Sequence, residues 1–177
     1  MTLGPRSAND PAPLIPVVLM NYWLLKSEPA CFAFADLLAA PGRTAGWDGV
    51  RNYQARNLLR DELRVGDGVL FYHSNASPPA VAGLAEVVEA GHPDLTAFDP
   101  SAEHFDPKSD PEAPTWHQVK IRAIRPIDPP LTLPRLRSVP ELAGMELLRK
   151  GSRLSVQRVS PAEWAAIVAL ADGPPEG

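Results

Sequence analysis

Two segments of the chain concentrate the residue types that recognise a flat, uncharged molecule. Gly46-Trp47-Asp48-Gly49-Val50-Arg51-Asn52-Tyr53-Gln54-Ala55-Arg56-Asn57 and Phe71-Tyr72-His73-Ser74-Asn75 each set aromatic rings beside amide and hydroxyl groups, and the first adds the guanidinium groups of Arg51 and Arg56. A nucleobase stacks on such a ring and pairs its edge with neutral donors and acceptors, so this set suits base recognition better than bond breaking. Trp47 lies in loop chemistry, between Gly46 and Asp48-Gly49. There it is either a lid over the core or an exposed stacking platform. Neither segment carries a metal-ligand spacing, a nucleophile elbow or a phosphate loop. The four histidines show no H-x-x-x-H pairing, and a structural metal is not expected. His73 and Ser74 are adjacent on an expected strand, where neighbours point to opposite faces, so they make a poor base–nucleophile pair. Cys31, beside Phe32, reads as a small core residue rather than a nucleophile. Glu28 and Asp48, the only acids near the expected site, are the candidates for a general base with a shifted pKa and read equally well as turn residues. No catalytic residue and no cofactor are expected.

The elements that must hold these groups are legible from periodicity. Tyr22-Trp23-Leu24-Leu25 reads as a buried first strand ending at Ser27-Glu28-Pro29. Phe34, Leu37 and Leu38 mark a short amphipathic helix stopped by Pro41-Gly42. Asn52 is placed to cap a second helix, with Leu58, Leu59 and Leu63 inward and Arg56, Arg60 and Arg64 on another face. Val65-Gly66-Asp67 turns into the strand Gly68–His73, which forms a hairpin with Val81–Glu89. Residues 91–115 hold five prolines and no periodicity, the pattern of a long functional loop. Trp116–Ile124 alternates, with Val119 and Ile121 inward and Lys120 and Arg122 outward. Val156 and Val159 mark a last strand. Ser160-Pro161-Ala162-Glu163 is a capping box opening a helix whose buried stripe is Trp164, Ile167 and Val168. Trp23 also reads as core, and Trp116 as either core or surface. Short strands with interspersed short helices and no βαβ rhythm indicate an α+β fold, a small mixed barrel of about five or six strands.

Composition narrows the class. A chain of 177 residues with 45% hydrophobic residues supports one domain with a core, here expected over 20–171. Positions 1–19 read as a disordered extension or a mis-annotated start preceding Met20, and 172–177 as a disordered tail. No apolar run reaches membrane-spanning length, so no membrane partner is expected. The single cysteine excludes an intrachain disulfide and points to a cytoplasmic home. A net charge of −4 argues against gripping nucleic acid by bulk electrostatics. The charge is uneven, however. Residues 86–114 are acid-rich and 115–158 base-rich, which allows a local basic face.

Taken in order, Tyr22–Pro29, Trp47–Asn57, Gly66-Asp67, Phe71–Asn75, Gly83–Val88, Asp106–Ser109 and Gly151–Val156 resemble the EVE domain over roughly residues 20–170. The resemblance implies a PUA-like mixed β-barrel with short peripheral helices, related to the YTH readers of methylated adenine. It also implies a pocket for a modified base, with 5-methyl- or 5-hydroxymethylcytosine in DNA favoured and RNA bases as the second choice. Carried over residue by residue, Ser27, Trp47, Asn52, Tyr72, Ser74 and Asn75 would line the pocket. Lys26, Glu28, Lys108 and Ser109 would form its rim, and Arg51 matches the family as a phosphate contact. Because selectivity for one methyl group is modest, basic residues such as Arg51, Arg56 and Arg122 are expected to hold the nucleic-acid backbone. His92, where a tyrosine is common, and Pro78-Pro79-Ala80, where a glycine turn is usual, depart from the pattern at the rim.

The function expected from this reading is a non-catalytic reader that flips a modified base into an aromatic and polar pocket. A nuclease or methyltransferase encoded separately is compatible with that role. The alternatives are an accessory to a nucleic-acid-modifying or restriction enzyme, and a small-metabolite sensor using the same pocket.

Overall fold

The computed structural model describes residues 19–174. Of the extension expected over 1–19 all but Leu19 lies outside that range, as do the last three residues of the tail expected over 172–177, whose first residue, Asp172, instead closes the last helix. Chain order is β1 (Tyr22–Ser27), α1 (Phe34–Ala39), β2 (Thr44–Gly46), α2 (Tyr53–Asp61), β3 (Gly68–His73), β4 (Ala80–Pro93), β5 (His117–Thr132), α3 (Leu133–Arg137), β6 (Val156–Val159) and α4 (Pro161–Asp172). The strands form one six-stranded mixed sheet in the order β2-β5-β4-β3-β1-β6. It has two ends, β2 and β6, and does not close on itself. β1 and β3 run parallel, and every other pairing is antiparallel. A parallel pair needs a long crossover, which α1, β2 and α2 supply.

At β3 both faces of the sheet are buried, which explains the near-continuous apolar run Val69-Leu70-Phe71-Tyr72 there. Alternation sends Trp23, Leu25, Val69 and Phe71 to one face, where they pack with Phe34 and Leu37 of α1, Ala55 and Leu59 of α2, and Trp47. Leu24, Leu70 and Tyr72 go to the other face, against Leu136, Leu142, Met145 and Ile167. α1 lies close on the sheet because Gly83 has no side chain. A Cβ there would sit 2.4 Å from the Phe34 ring.

Several expectations are corrected by pairing. The hairpin strand expected over Val81–Glu89 runs from Ala80 to Pro93, and the strand expected over Trp116–Ile124 continues to Thr132. Register shifts interrupt this β4–β5 ladder, and they hide its period from sequence alone. The expected loop over 91–115 is therefore shorter, and it also contains a 3-10 turn at Leu95–Phe98. In α4 the capping box of Ser160 and Glu163 is present, and Ile167 is fully buried. Trp164, expected in the core, is only partly buried and stacks on Tyr22 with ring centroids 4.6 Å apart.

Candidate functional site

A cavity of about 620 Å³ opens on the Trp47 side of the sheet, within the range of small-ligand sites. Its walls come from four places. Lys26 and Ser27 end β1, and Cys31 and Phe32 follow in the turn before α1. Ala45 and Gly46 close β2, and the chain continues as Trp47, Asp48, Gly49, Val50 and Arg51. Glu103 and His104 arrive from the long loop, and Ser155 from the approach to β6. Two backbone bonds set these pieces together. Lys26 N–H donates to Ser155 O at 2.9 Å, and Trp47 N–H to Val119 O at 2.7 Å. Trp47 is both core and wall. Its ring stands edge-on to Phe71 at 5.3 Å and to Phe32 at 6.4 Å, which fixes its plane.

The loop is tied to the cavity by a buried ion pair. Asp94, with no exposed side-chain surface, accepts from Arg51 Nη1 at 2.9 Å, Gly49 N–H at 2.9 Å, Thr96 N–H at 3.0 Å and Thr96 Oγ1 at 2.6 Å. Burial alone would raise its pKa, but those hydrogen bonds outweigh it and hold the carboxyl below the usual range. Arg51 also donates to His104 O from Nε at 3.1 Å and Nη2 at 2.6 Å. His104 then packs on Gly49, whose φ is +76° and where a Cβ would lie 2.5 Å from the imidazole. Glycine is required there twice over, by dihedral and by space.

The remaining cavity groups are balanced in charge: Lys26 and Arg51 against Asp48 and Glu103. Desolvation pushes the Asp48 carboxyl up, helped by Asp94 and opposed by His104 and Arg51. Desolvation also lowers Lys26, whose ammonium reaches Ser152 O at 3.4 Å, while Glu146 opposes the shift. Among the described residues no group of three or more His, Cys, Asp or Glu side chains is arranged to hold a metal ion. An aromatic wall with charges of both signs suits a neutral polar ligand.

Of the residues expected at the site, Ser27, Trp47, Lys26 and Arg51 line the cavity. The rest do not. Tyr72 points to the opposite face because β3 alternates, and it packs with Leu24 and Leu70. Asn52 is the N-cap of α2, its Oδ1 accepting Ala55 N–H at 2.9 Å. Ser74 and Asn75 lie in the turn after β3, with Asn75 at φ 49°. Glu28 is exposed, and its carbonyl closes the turn to Cys31 and Phe32. Lys108 and Ser109 fall short of the cavity, and the same loop contributes Glu103 and His104 instead. Arg122, expected on the nucleic-acid backbone, faces away with Glu86, its cross-strand partner in an exposed ion pair. Arg56 lies over the Tyr53 ring at 5.1 Å, outside the cavity. Cys31 is exposed in the cavity wall rather than buried in the core.

Sequence reasoning missed Phe32, Glu103, His104 and Ser155, and gave Asp48 no place in the pocket beyond weighing it as a general base or a turn residue. The prolines of the long loop were the available signal for Glu103 and His104, since an irregular segment of that length is often functional. Ser155 falls in the Gly151–Val156 segment of the resemblance but was given no role in the site, and it reaches the cavity through β6 pairing with β1.

The comparisons agree with one another. The family model for the EVE domain matches residues 21–170. Thymocyte nuclear protein 1 of Mus musculus is 38% identical over 174 residues, covering 89% of this chain and 76% of the relative. A solved protein from Leishmania major superposes with a TM-score of 0.81 at 48% identity, over 86% of this chain and 95% of that one. Human THYN1 protein, solved in complex with 5-methylcytosine-containing DNA, gives a TM-score of 0.81 at 35% identity, over 88% of this chain and 99% of that one. With the family model spanning nearly all of the described fold, the chain belongs to the EVE domain family.

Proposed function

We propose that this protein is a non-catalytic reader of modified cytosine in DNA, taking the flipped base into the cavity beside Trp47. The observation that carries the reading is that cavity's make-up: a fixed tryptophan, carboxylates and cations in balance, and room for one base. The likeness to the human protein solved with 5-methylcytosine-containing DNA supports the choice of ligand. Extruding a base costs a few kcal/mol, and stacking offsets about 1–3 kcal/mol of it. A methyl group filling a hollow adds about 1–3 kcal/mol, enough for tens- to hundreds-fold selectivity.

The test is binding to matched duplexes carrying cytosine, 5-methylcytosine or 5-hydroxymethylcytosine, with Trp47→Ala as control. Tighter binding to a modified duplex, lost in the variant, is the expected result. Equal weak binding to all three would overturn the reading and turn the search to modified RNA and small molecules. Trp47 is also core, so thermal melting must accompany the variant. Asp48→Asn, at an exposed wall position, gives a second handle that does not disturb packing.

A further inference from the structure

Beyond the cavity, the side chains past Arg51 continue as one stacked series. The Arg51 guanidinium, part of the cavity wall, lies 5.4 Å over the Trp116 ring. Trp116 is 5.0 Å from Tyr53, their planes tilted by 33°. Arg56, one helical turn on from Tyr53, lies 5.1 Å from the Tyr53 ring. Trp116 is buried, and its Nε1–H donates to Asp106 at 2.7 Å, which fixes the indole. Tyr53 is the reverse case: a large ring at the first position of α2, left 62% exposed. Ala55 and Leu59 carry the buried face of that helix, so the fold does not need Tyr53 for its core.

Arg56 is anchored without being neutralised. It donates to Asn57 Oδ1 and to the carbonyl oxygen of Thr115, neither of which carries a charge. Arg60, the next arginine along α2, is paired with Asp61 and has less to offer an anion. An oriented aromatic ring beside a charged guanidinium, joined to a base-sized cavity through Arg51 and Trp116, matches the repeat of a polynucleotide. That repeat is a flat base followed by a phosphate.

We infer that Tyr53 and Arg56 form a ledge for the nucleotide next to the one in the cavity, its base against Tyr53 and its phosphate at Arg56. This rests on the reading of the cavity as a nucleobase site. Flipping leaves the neighbouring base without its stacking partner, and an exposed ring replaces that contact in a way every base accepts. The ledge therefore supplies affinity, while the cavity supplies discrimination.

The experiment measures wild type, Tyr53→Ala, Tyr53→Phe and Arg56→Gln on a 5-methylcytosine duplex and on its unmodified match. Tyr53→Ala should weaken both about tenfold or more with their ratio unchanged, and Tyr53→Phe should restore binding. Arg56→Gln should reduce the slope of log affinity against log salt by about one. Wild-type affinity in Tyr53→Ala overturns the ledge, whatever the cavity reads. Loss of the modified-to-unmodified ratio in Tyr53→Ala also overturns it, because the residue would then act through the cavity. A wild-type protein that does not discriminate overturns the cavity reading instead, by a separate readout of the same titrations.

Discussion

Asp48 accepts no hydrogen bond among the described residues, although it stands in the cavity wall. In the proposed complex a carboxylate there would accept the N4 amine of cytosine and repel the O4 of thymine, a base that matches 5-methylcytosine in its methyl group and differs at positions 3 and 4 of the ring. Asp48→Asn should therefore lower the preference for 5-methylcytosine over thymine at the same position by about tenfold, read by competition between the two duplexes. An unchanged ratio would remove Asp48 from recognition. Asp94 has the opposite task. Asp94→Ala leaves Arg51, Gly49 N–H and Thr96 without their shared acceptor and should cost about 3–5 kcal/mol, seen as a melting point lower by about 10 °C. Glu86→Ala breaks only the exposed pair with Arg122 and should cost less than about 1 kcal/mol.

At the scale of elements, α1 is held to β3 by a histidine acting as an acceptor. Phe34 N–H donates to His73 Nε2 at 3.0 Å, so that nitrogen must be unprotonated. Desolvation accordingly lowers the His73 pKa below its ordinary value of 6.5. The unfolded chain then binds the proton more readily than the folded one. This contribution to stability is complete above pH 6.5 and is lost as the pH falls from there through the folded value. His117 shifts the same way, chiefly by desolvation. Melting between pH 7.5 and pH 5 should show the decline, and His73→Gln should flatten part of it. A wild-type melting point that holds constant over that interval would contradict the assignment. The N-terminus of α2 offers a second test. Asn52→Ala should cost about 1 kcal/mol of stability and leave base affinity unchanged, because the side chain is a cap. Lost affinity at unchanged stability would return Asn52 to the site.

On the scale of the whole molecule, an acidic protein that reads DNA as proposed would hold it through few phosphate contacts. Arg122 is paired on the opposite face and Arg51 is committed to Asp94 and His104. Titrations against salt should therefore give a slope of only about −2 to −3, and a markedly steeper one would indicate a broader basic surface. The sequence by itself determined the local elements: the strands starting at Tyr22 and Gly68, the Asn52 and Ser160 caps, and the outward Arg122. Each follows from side-chain period or from a bond spanning three residues. It also brought Trp47 and Ser27 into view, because loop aromatics and strand-end polar groups are recognisable without the fold. Only the tertiary structure decided that Tyr72 turns its back on the cavity, that His104 rather than Lys108 reaches it, and that Arg51 is a clamp. Those outcomes depend on which face of a two-sided sheet a strand residue takes. They depend equally on contacts between segments more than forty residues apart, such as Arg51 with Asp94, and no local pattern encodes those pairings.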